Sequence, residues 1–186
     1  MILRLVFTLL VGLSLSFGSL ANSFPDKYDD VIKQSAKRYL PGVKWQLLKA
    51  QLYQESRMDP NAVSPVGAEG VAQFMPATWQ EISAKMGYGN VSPRVAKYAI
   101  PAAAYYMGSL RKTWSSPRPH YDRLKLAAAS YNAGKGNVIK SQRLCDNKVL
   151  YDEIVECLPK VTGKHSEETF TYVKRIWEYY GLMTLK

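Results

Sequence analysis

Apolar residues recur along this chain at helical spacing, while strand-like alternation of apolar and polar residues is nearly absent. That pattern points to an all-α fold. Tyr28, Val31, Ile32, Ala36 and Tyr39 share one face of a helix expected to open at Pro25 and stop before Pro41. Trp45, Leu48 and Leu52 make the stripe of a second helix, ended by Asp59-Pro60. Pro76 opens a third through Trp79 and Ile82 to Gly87, and Pro101 a fourth through Tyr105, Leu110 and Trp114. Asp122 starts a fifth, rich in small residues at 127–130 and stopped by Gly134. Ser166 caps a last helix with Glu167 and Glu168 in its first turn and Phe170, Val173, Ile176, Trp177 and Tyr180 on its buried face.

No repeat, low-complexity tract or linker divides the bulk of the 186 residues, so residues 22–186 read as one domain. A content of 47% hydrophobic and 22% charged residues supplies a core and excludes wholesale disorder. Residues 1–21 read instead as a secretory signal. Arg4 is their only charge, an apolar stretch follows, and Ser19-Leu20-Ala21 offers a small-x-small cleavage site. The alternative is a membrane anchor, which Gly12, Ser14, Ser16, Gly18 and Ser19 weaken. The chain is therefore expected in the periplasm or secreted, touching a membrane only through an uncleaved signal.

Export bears on the cysteines. Cys145 and Cys157 bracket a short polar loop, and an oxidising compartment favours a bridge between them; two separate buried thiols are the alternative. Two cysteines and two histidines exclude a disulfide scaffold and a four-thiolate zinc site, and no metal or cofactor is expected. A balance of 25 Lys+Arg against 15 Asp+Glu, a net +10, favours an anionic partner. Nucleic acid is not expected, because export and the lack of a recognisable binding module oppose it. Gly134-Lys135-Gly136-Asn137 follows a helix, lacks the P-loop pattern and reads as no phosphate cradle.

The second helix contains an oddity. Glu55 lies three residues after Leu52, seven after Leu48 and ten after Trp45, so it continues the apolar stripe. A carboxyl on the core-facing side is costly when ionised, and desolvation raises its pKa into the range of a general acid at neutral pH. The bland alternative is a helix-end Glu that leans into solvent or is neutralised by a buried base. No convincing second carboxylate accompanies it. Asp59, before Pro60, reads as a turn residue, and Glu69 as a solvated loop acid.

Gln54-Glu55-Ser56 leads through Asn61-Ala62-Val63-Ser64 into Gly67-Ala68-Glu69-Gly70-Val71-Ala72-Gln73-Phe74-Met75-Pro76-Ala77-Thr78. A second block is Ala129-Ser130-Tyr131-Asn132-Ala133-Gly134, and a third is Glu168-Thr169-Phe170-Thr171-Tyr172-Val173. In this order the blocks resemble the catalytic domain of the soluble lytic transglycosylases, across about residues 45–180. The resemblance implies a goose-type-lysozyme-like fold and cleavage of the MurNAc–GlcNAc β-1,4 bond with formation of 1,6-anhydroMurNAc. It implies Glu55 as the single acid/base and Ser64 as a serine facing that carboxyl and the reacting sugar. Gln73 and Met75 then line sugar subsites, Tyr131 lies below the catalytic centre with Asn132 beside it, and Glu168 helps hold the glycan. Ala72 and Phe74 depart from the family's usual Met and Leu or Ile, which bears on one cleft wall. The implied partner is peptidoglycan glycan strands; secretion-system or virion components also suit an exported wall enzyme. A hydrolytic lysozyme of the same fold and a non-catalytic glycan-binding module are the alternatives.

Overall fold

The computed structural model describes residues 24–185, so the expected signal at residues 1–21 lies outside the described residues. These fold into α1 (Asp29–Tyr39), α2 (Trp45–Ser56), α3 (Pro76–Lys85), α4 (Ala96–Thr113), α5 (His120–Ala133), α6 (Lys135–Leu144), α7 (Tyr151–Val155), α8 (Pro159–Thr162), a 3-10 turn (Gly163–His165) and α9 (Ser166–Thr184). Two isolated antiparallel bridges, Val63 to Glu69 and Glu69 to Phe74, are the only β pairings among the described residues.

The core forms where α4 and α5 cross. α4 buries Ala99, Ile100, Ala102, Ala103, Ala104, Met107 and Leu110, and α5 buries Leu124, Leu126, Ala127, Ala128 and Ala129. Alanine on both faces brings the two axes together, since interaxial distance follows side-chain size at the contact. α1 lies against α4, and α2 against α9. Between α1 and α4 the approach is closest at Gly108, where a Cβ would stand 2.4 Å from the Tyr39 carbonyl oxygen. Trp79 and Trp114 are buried, their indole N–H groups donating to the Val91 carbonyl (2.8 Å) and the Ser130 hydroxyl (3.1 Å).

Several boundaries differ from the sequence expectation. α1 opens at Asp29, after a turn in which the Asp29 N–H donates to the Asp26 carbonyl. Pro101 lies inside α4. Its missing N–H forgoes a single bond to the Lys97 carbonyl near the helix start, a loss outweighed by the buried flank around it. α2 ends before Asp59-Pro60, because Arg57 and Met58 already adopt positive φ (57° and 70°). Gly134 does stop α5, yet at φ 83° it also starts α6. α9 starts at Ser166, whose hydroxyl donates backwards to the Gly163 carbonyl (2.8 Å) and caps nothing. The α9 face is turned relative to expectation: Thr169, Tyr172, Val173 and Ile176 are buried, while Phe170, Trp177 and Tyr180 are half-buried at its flank.

Cys145 and Cys157 form a disulfide, tying the end of α6 to the turn after α7. The polar stretch between them is thus a clamped segment containing a short helix. Closing a loop of this length is worth about 3 kcal/mol through the unfolded chain.

Gly108→Ala is expected to lower stability by about 1–3 kcal/mol, because a rigid backbone oxygen occupies the space and α1 must move. A urea titration reads this as a lower midpoint with an unchanged slope.

Candidate active site

A cleft of about 300 Å³ opens where the ends of α2 and α5, the first turns of α9 and the loop 57–75 meet. Glu55, Ser64, Gln73, Met75, Tyr131, Asn132 and Glu168 all line it. The structure therefore gathers every expected site residue outside the disulfide into one place. A larger cavity of about 580 Å³, walled by Tyr151, Val155, Phe170 and Trp177, holds none of them.

Glu55 sits in the last turn of α2, directly before the reversal at Arg57 and Met58. The residue keeps an edge open to the cleft, while its carboxyl is withdrawn among groups from α5 and α9. The Tyr172 hydroxyl donates to Glu55 Oε1 at 2.5 Å. Burial pushes the Glu55 pKa from 4.5 up to about 8; the Tyr172 bond lowers it, and the charge of Glu168 raises it further. Burial, then the Glu55 charge, pushes the Tyr131 and Tyr172 phenols well up, so both stay hydroxyls.

The loop that faces Glu55 is fixed by its own polar groups. Ser56 Oγ donates to the Val71 carbonyl (2.9 Å), and Glu69 and Phe74 exchange backbone bonds at 3.0 and 3.1 Å. Gln73, itself at φ 46°, donates its side-chain N–H to the Ala62 and Gly70 carbonyls (3.2 and 3.0 Å). Gly70 is required by space as well as by φ 77°, since a Cβ would meet the Pro93 carbonyl oxygen. Ser64 Oγ accepts the Ala68 N–H at 2.9 Å, which leaves its own proton free to donate. The Tyr131 hydroxyl donates to the Ala72 carbonyl (2.8 Å), so α5 braces the loop from below. Met75 lies exposed at the start of α3.

Asn132 and Glu168 form the other wall. The Asn132 amide donates to Glu168 Oε1 at 3.4 Å, and Thr169 Oγ1 donates to Asn132 Oδ1 at 2.7 Å. Asp59 is outside the cleft and exposed; its Oδ1 accepts the Asn61 N–H at 2.8 Å, the turn role expected of it. Glu69 is not a free loop acid but pairs with Arg94 at 3.0 Å, holding the loop to the segment before α4.

Sequence reasoning missed Tyr172, Gln54, Val66 and Ala68, which also line the cleft. Tyr172 had a readable signal, because it lies three residues after Thr169 and four after Glu168, on the same helix face. Gln54 Oε1 is buried without a hydrogen-bond partner in the cleft beside Glu55. Among the described residues no group of three or more His, Cys, Asp or Glu is placed to hold a metal ion.

An all-α fold with one protonated carboxyl held in a cleft is the architecture of the lysozyme-like glycan-cleaving domains. Residues 30–151 match the family described as Transglycosylase SLT domain, and the chain belongs to that family. It is 28% identical over 176 residues to membrane-bound lytic murein transglycosylase F of Desulfosudis oleivorans, covering 86% of this chain and 37% of that protein. With the protein of the same name from Shewanella pealeana it shares 31% over 163 residues, 79% of this chain and 33% of the relative. The chain thus spans about a third of the length of these relatives. The crystal structure of lytic transglycosylase Slt from Pseudomonas aeruginosa, an inactive Glu-to-Gln mutant, superposes with a TM-score of 0.69 at 28% identity. That match covers 89% of this chain and 25% of the other. The 70 kDa soluble lytic transglycosylase of Escherichia coli shares the fold at TM-score 0.67 and 24% identity, over 86% of this chain and 24% of its own.

The raised Glu55 pKa fixes a pH dependence of stability. Between 4.5 and about 8 the folded state holds a proton at Glu55 that the unfolded state releases. This contribution is therefore complete below 4.5 and is lost as pH rises through about 8. Chemical denaturation across that window should show Glu55→Gln lacking the decline and exceeding wild type at the alkaline end. Tyr172→Phe removes a donor to the ionised form, so the Glu55 titration, followed by NMR of its carboxyl, should move upward from about 8.

Proposed function

We propose that this chain is a peptidoglycan lytic transglycosylase that cleaves the β-1,4 bond between MurNAc and GlcNAc and closes a 1,6-anhydroMurNAc ring. The observation that carries the reading is a single carboxyl, Glu55, held protonated near neutral pH on one wall of an open cleft. The relatives' shared name, lytic murein transglycosylase, supports the same reaction.

With Tyr172 donating to Oε1, the acidic proton belongs on Oε2. Glu55 gives that proton to the glycosidic oxygen as the bond to MurNAc C1 breaks, and the substrate's own N-acetyl group shields the developing cation. The Glu55 carboxylate then takes the proton of the MurNAc 6-hydroxyl, whose oxygen bonds to C1. The enzyme ends in its starting protonation state, so no second carboxylate is consumed; ordinary two-carboxylate glycosidases need one. Ser64 offers its free O–H toward the reacting sugar. Gln73 and Met75 wall the subsites, Tyr131 supports the floor, and Asn132 with Glu168 grips the glycan across from them.

The rest of the assignment follows the sequence. Residues 1–21 serve as an export signal and residues 22–186 as the transglycosylase domain, acting in the periplasm or after secretion. No helix among the described residues is long and apolar enough to cross a membrane. Glycan strands are the partner, and the enzyme works without a cofactor.

Mass analysis of muropeptides released from purified sacculi tests the reading. The products should end in 1,6-anhydroMurNAc, lighter by one water than the reducing sugars left by a hydrolytic lysozyme. Glu55→Gln should cut release ~100-fold or more while sacculus binding persists, and Asp59→Asn should stay near wild type. Reducing-end products would assign hydrolysis instead, and full activity of Glu55→Gln would remove the mechanism.

A further inference from the structure

At the opposite end of α5 from the cleft, three arginines stand together without a carboxylate to pair with. Arg111 ends α4, Arg118 lies in the loop 114–119, and Arg123 opens α5. Arg111 donates through Nη1 to the Pro41 carbonyl at 2.9 Å. Arg123 donates through Nε to the Trp114 carbonyl (2.9 Å) and through Nη2 to the Ser116 carbonyl (3.3 Å). Arg118 donates through Nε to that same Ser116 oxygen (3.3 Å), so the two guanidinium groups are neighbours. The Arg118 group also lies over the Trp114 ring, 5.4 Å from its centroid, and its Nη1 is buried with no partner. A cavity of about 340 Å³ opens between these helices, lined by Tyr39, Pro41, Arg111, Lys112, Ser115 and Arg123.

The cluster is electrostatically unsatisfied. Among the described residues none of the three arginines makes an ion pair, whereas Arg94, elsewhere on the surface, takes Glu69. The nearest acid is Asp122, which faces Arg118, but its Oδ1 is already accepting the Tyr151 N–H at 2.8 Å. Burial and then repulsion from Arg123 hold Arg111 and Arg118 below the usual guanidinium range. His120 is lowered too, by burial and then by Arg111 and Arg123. Backbone carbonyls fix these groups in place before any ligand arrives, so little ordering entropy opposes binding.

We propose that this pocket binds a phosphate group, through Arg111 and Arg123, which line it, with Lys112 at its rim and Arg118 beside Arg123 at its edge. A carboxylate fills the fork of one arginine, whereas a phosphate brings up to two charges and oxygens enough for several guanidinium groups. The site goes beyond the transglycosylase reading. Arg123 and Asn132 are nine residues apart on one helix, about 14 Å along its axis, so an occupied pocket leaves the cleft open. The phosphate comes either from the headgroup of an anionic phospholipid or from a soluble phosphate ester.

Calorimetric titration of the protein with inorganic phosphate, against sodium chloride at matched ionic strength, tests the site. One saturable equivalent is expected, ~10-fold weaker in Arg111→Gln/Arg118→Gln because charge-assisted bonds are lost. Lys112 is exposed and its side chain makes no hydrogen bond among the described residues, so Lys112→Gln is expected to keep the fold and to weaken binding a few-fold. Co-sedimentation with phosphatidylglycerol–phosphatidylcholine vesicles, competed by inorganic phosphate, assigns a lipid source. Retained phosphate binding without co-sedimentation assigns a soluble one. Absence of saturation beyond the chloride control, or binding unchanged in both variants, overturns the proposal. The readout needs no turnover, and muropeptide release should be unchanged in Lys112→Gln, so failure here is separable from failure of the transglycosylase reading.

Discussion

A carboxyl group withdrawn from water at the end of α2 sets the terms for everything around it. Raising Glu55 from 4.5 to about 8 means its ionised form is disfavoured by several kcal/mol relative to an exposed glutamate. That is a large fraction of a typical domain's net stability, so the surroundings keep the group neutral at rest, and the proposed reaction would need them also to accept its anion. Tyr172 answers the second need. Its hydroxyl bonds to the carboxyl from α9, and a phenol that does not itself ionise serves as donor to both protonation states. Glu168 acts the other way, pushing the proton back on.

The cleft loop is irregular and carries a conformational cost that its own bonds offset only in part. Arg57, Met58 and Gln73 hold positive φ without being glycine, at a cost on the order of 1 kcal/mol each. Met58 recovers part of that by burying its side chain, and Gln73 by two bonds from its amide. The remaining cost is offset by the core, into which the loop itself inserts Val71, Ala72 and Phe74 beside the α4–α5 and α2–α9 contacts. A rigid scaffold carrying a strained loop, tied down by its own hydrogen bonds and its buried apolar residues, places Ser64 and Gln73 opposite Glu55.

What was legible in the sequence follows the same division. Helices with a long apolar stripe or a proline start, such as α2 and α3, could be placed closely, because burial at period 3.6 is written in the residues. Pro101 misled because helix breaking is a local cost, and the core around α4 overrode it. The short helices α7 and α8 carry too few residues to show a period, and a disulfide anchors the segment that holds α7. At the site, Glu55 was legible as a carboxyl on the wrong face. The Tyr172 contact was not, since it spans 117 positions and depends on how α9 rotates against α2. The departure of α9 from its expected face has the same root: turning toward Thr169 and Tyr172 satisfies Asn132 and Glu55 at the expense of burying Trp177 fully.

The two carboxyl groups of the cleft illustrate how opposite helix ends give like groups unlike environments. Glu168 stands exposed in the first turn of α9, where the helix dipole favours negative charge and the Asn132 amide donates to it. Glu55 stands at the opposite kind of helix end, in the last turn of α2, where the dipole opposes negative charge and water is excluded. Each environment reinforces the asymmetry, because charge on Glu168 further disfavours charge on Glu55. A glycan that covers Glu168 with hydroxyl groups would damp its field at Glu55 only in part, since the Asn132 contact keeps that carboxylate in place. In the proposed reaction this asymmetry would keep the proton on Glu55 until the glycosidic oxygen takes it, and would draw a proton back from the 6-hydroxyl afterwards. On that proposal, return of the proton is built into the helix ends, and one carboxyl would suffice for both halves of the reaction.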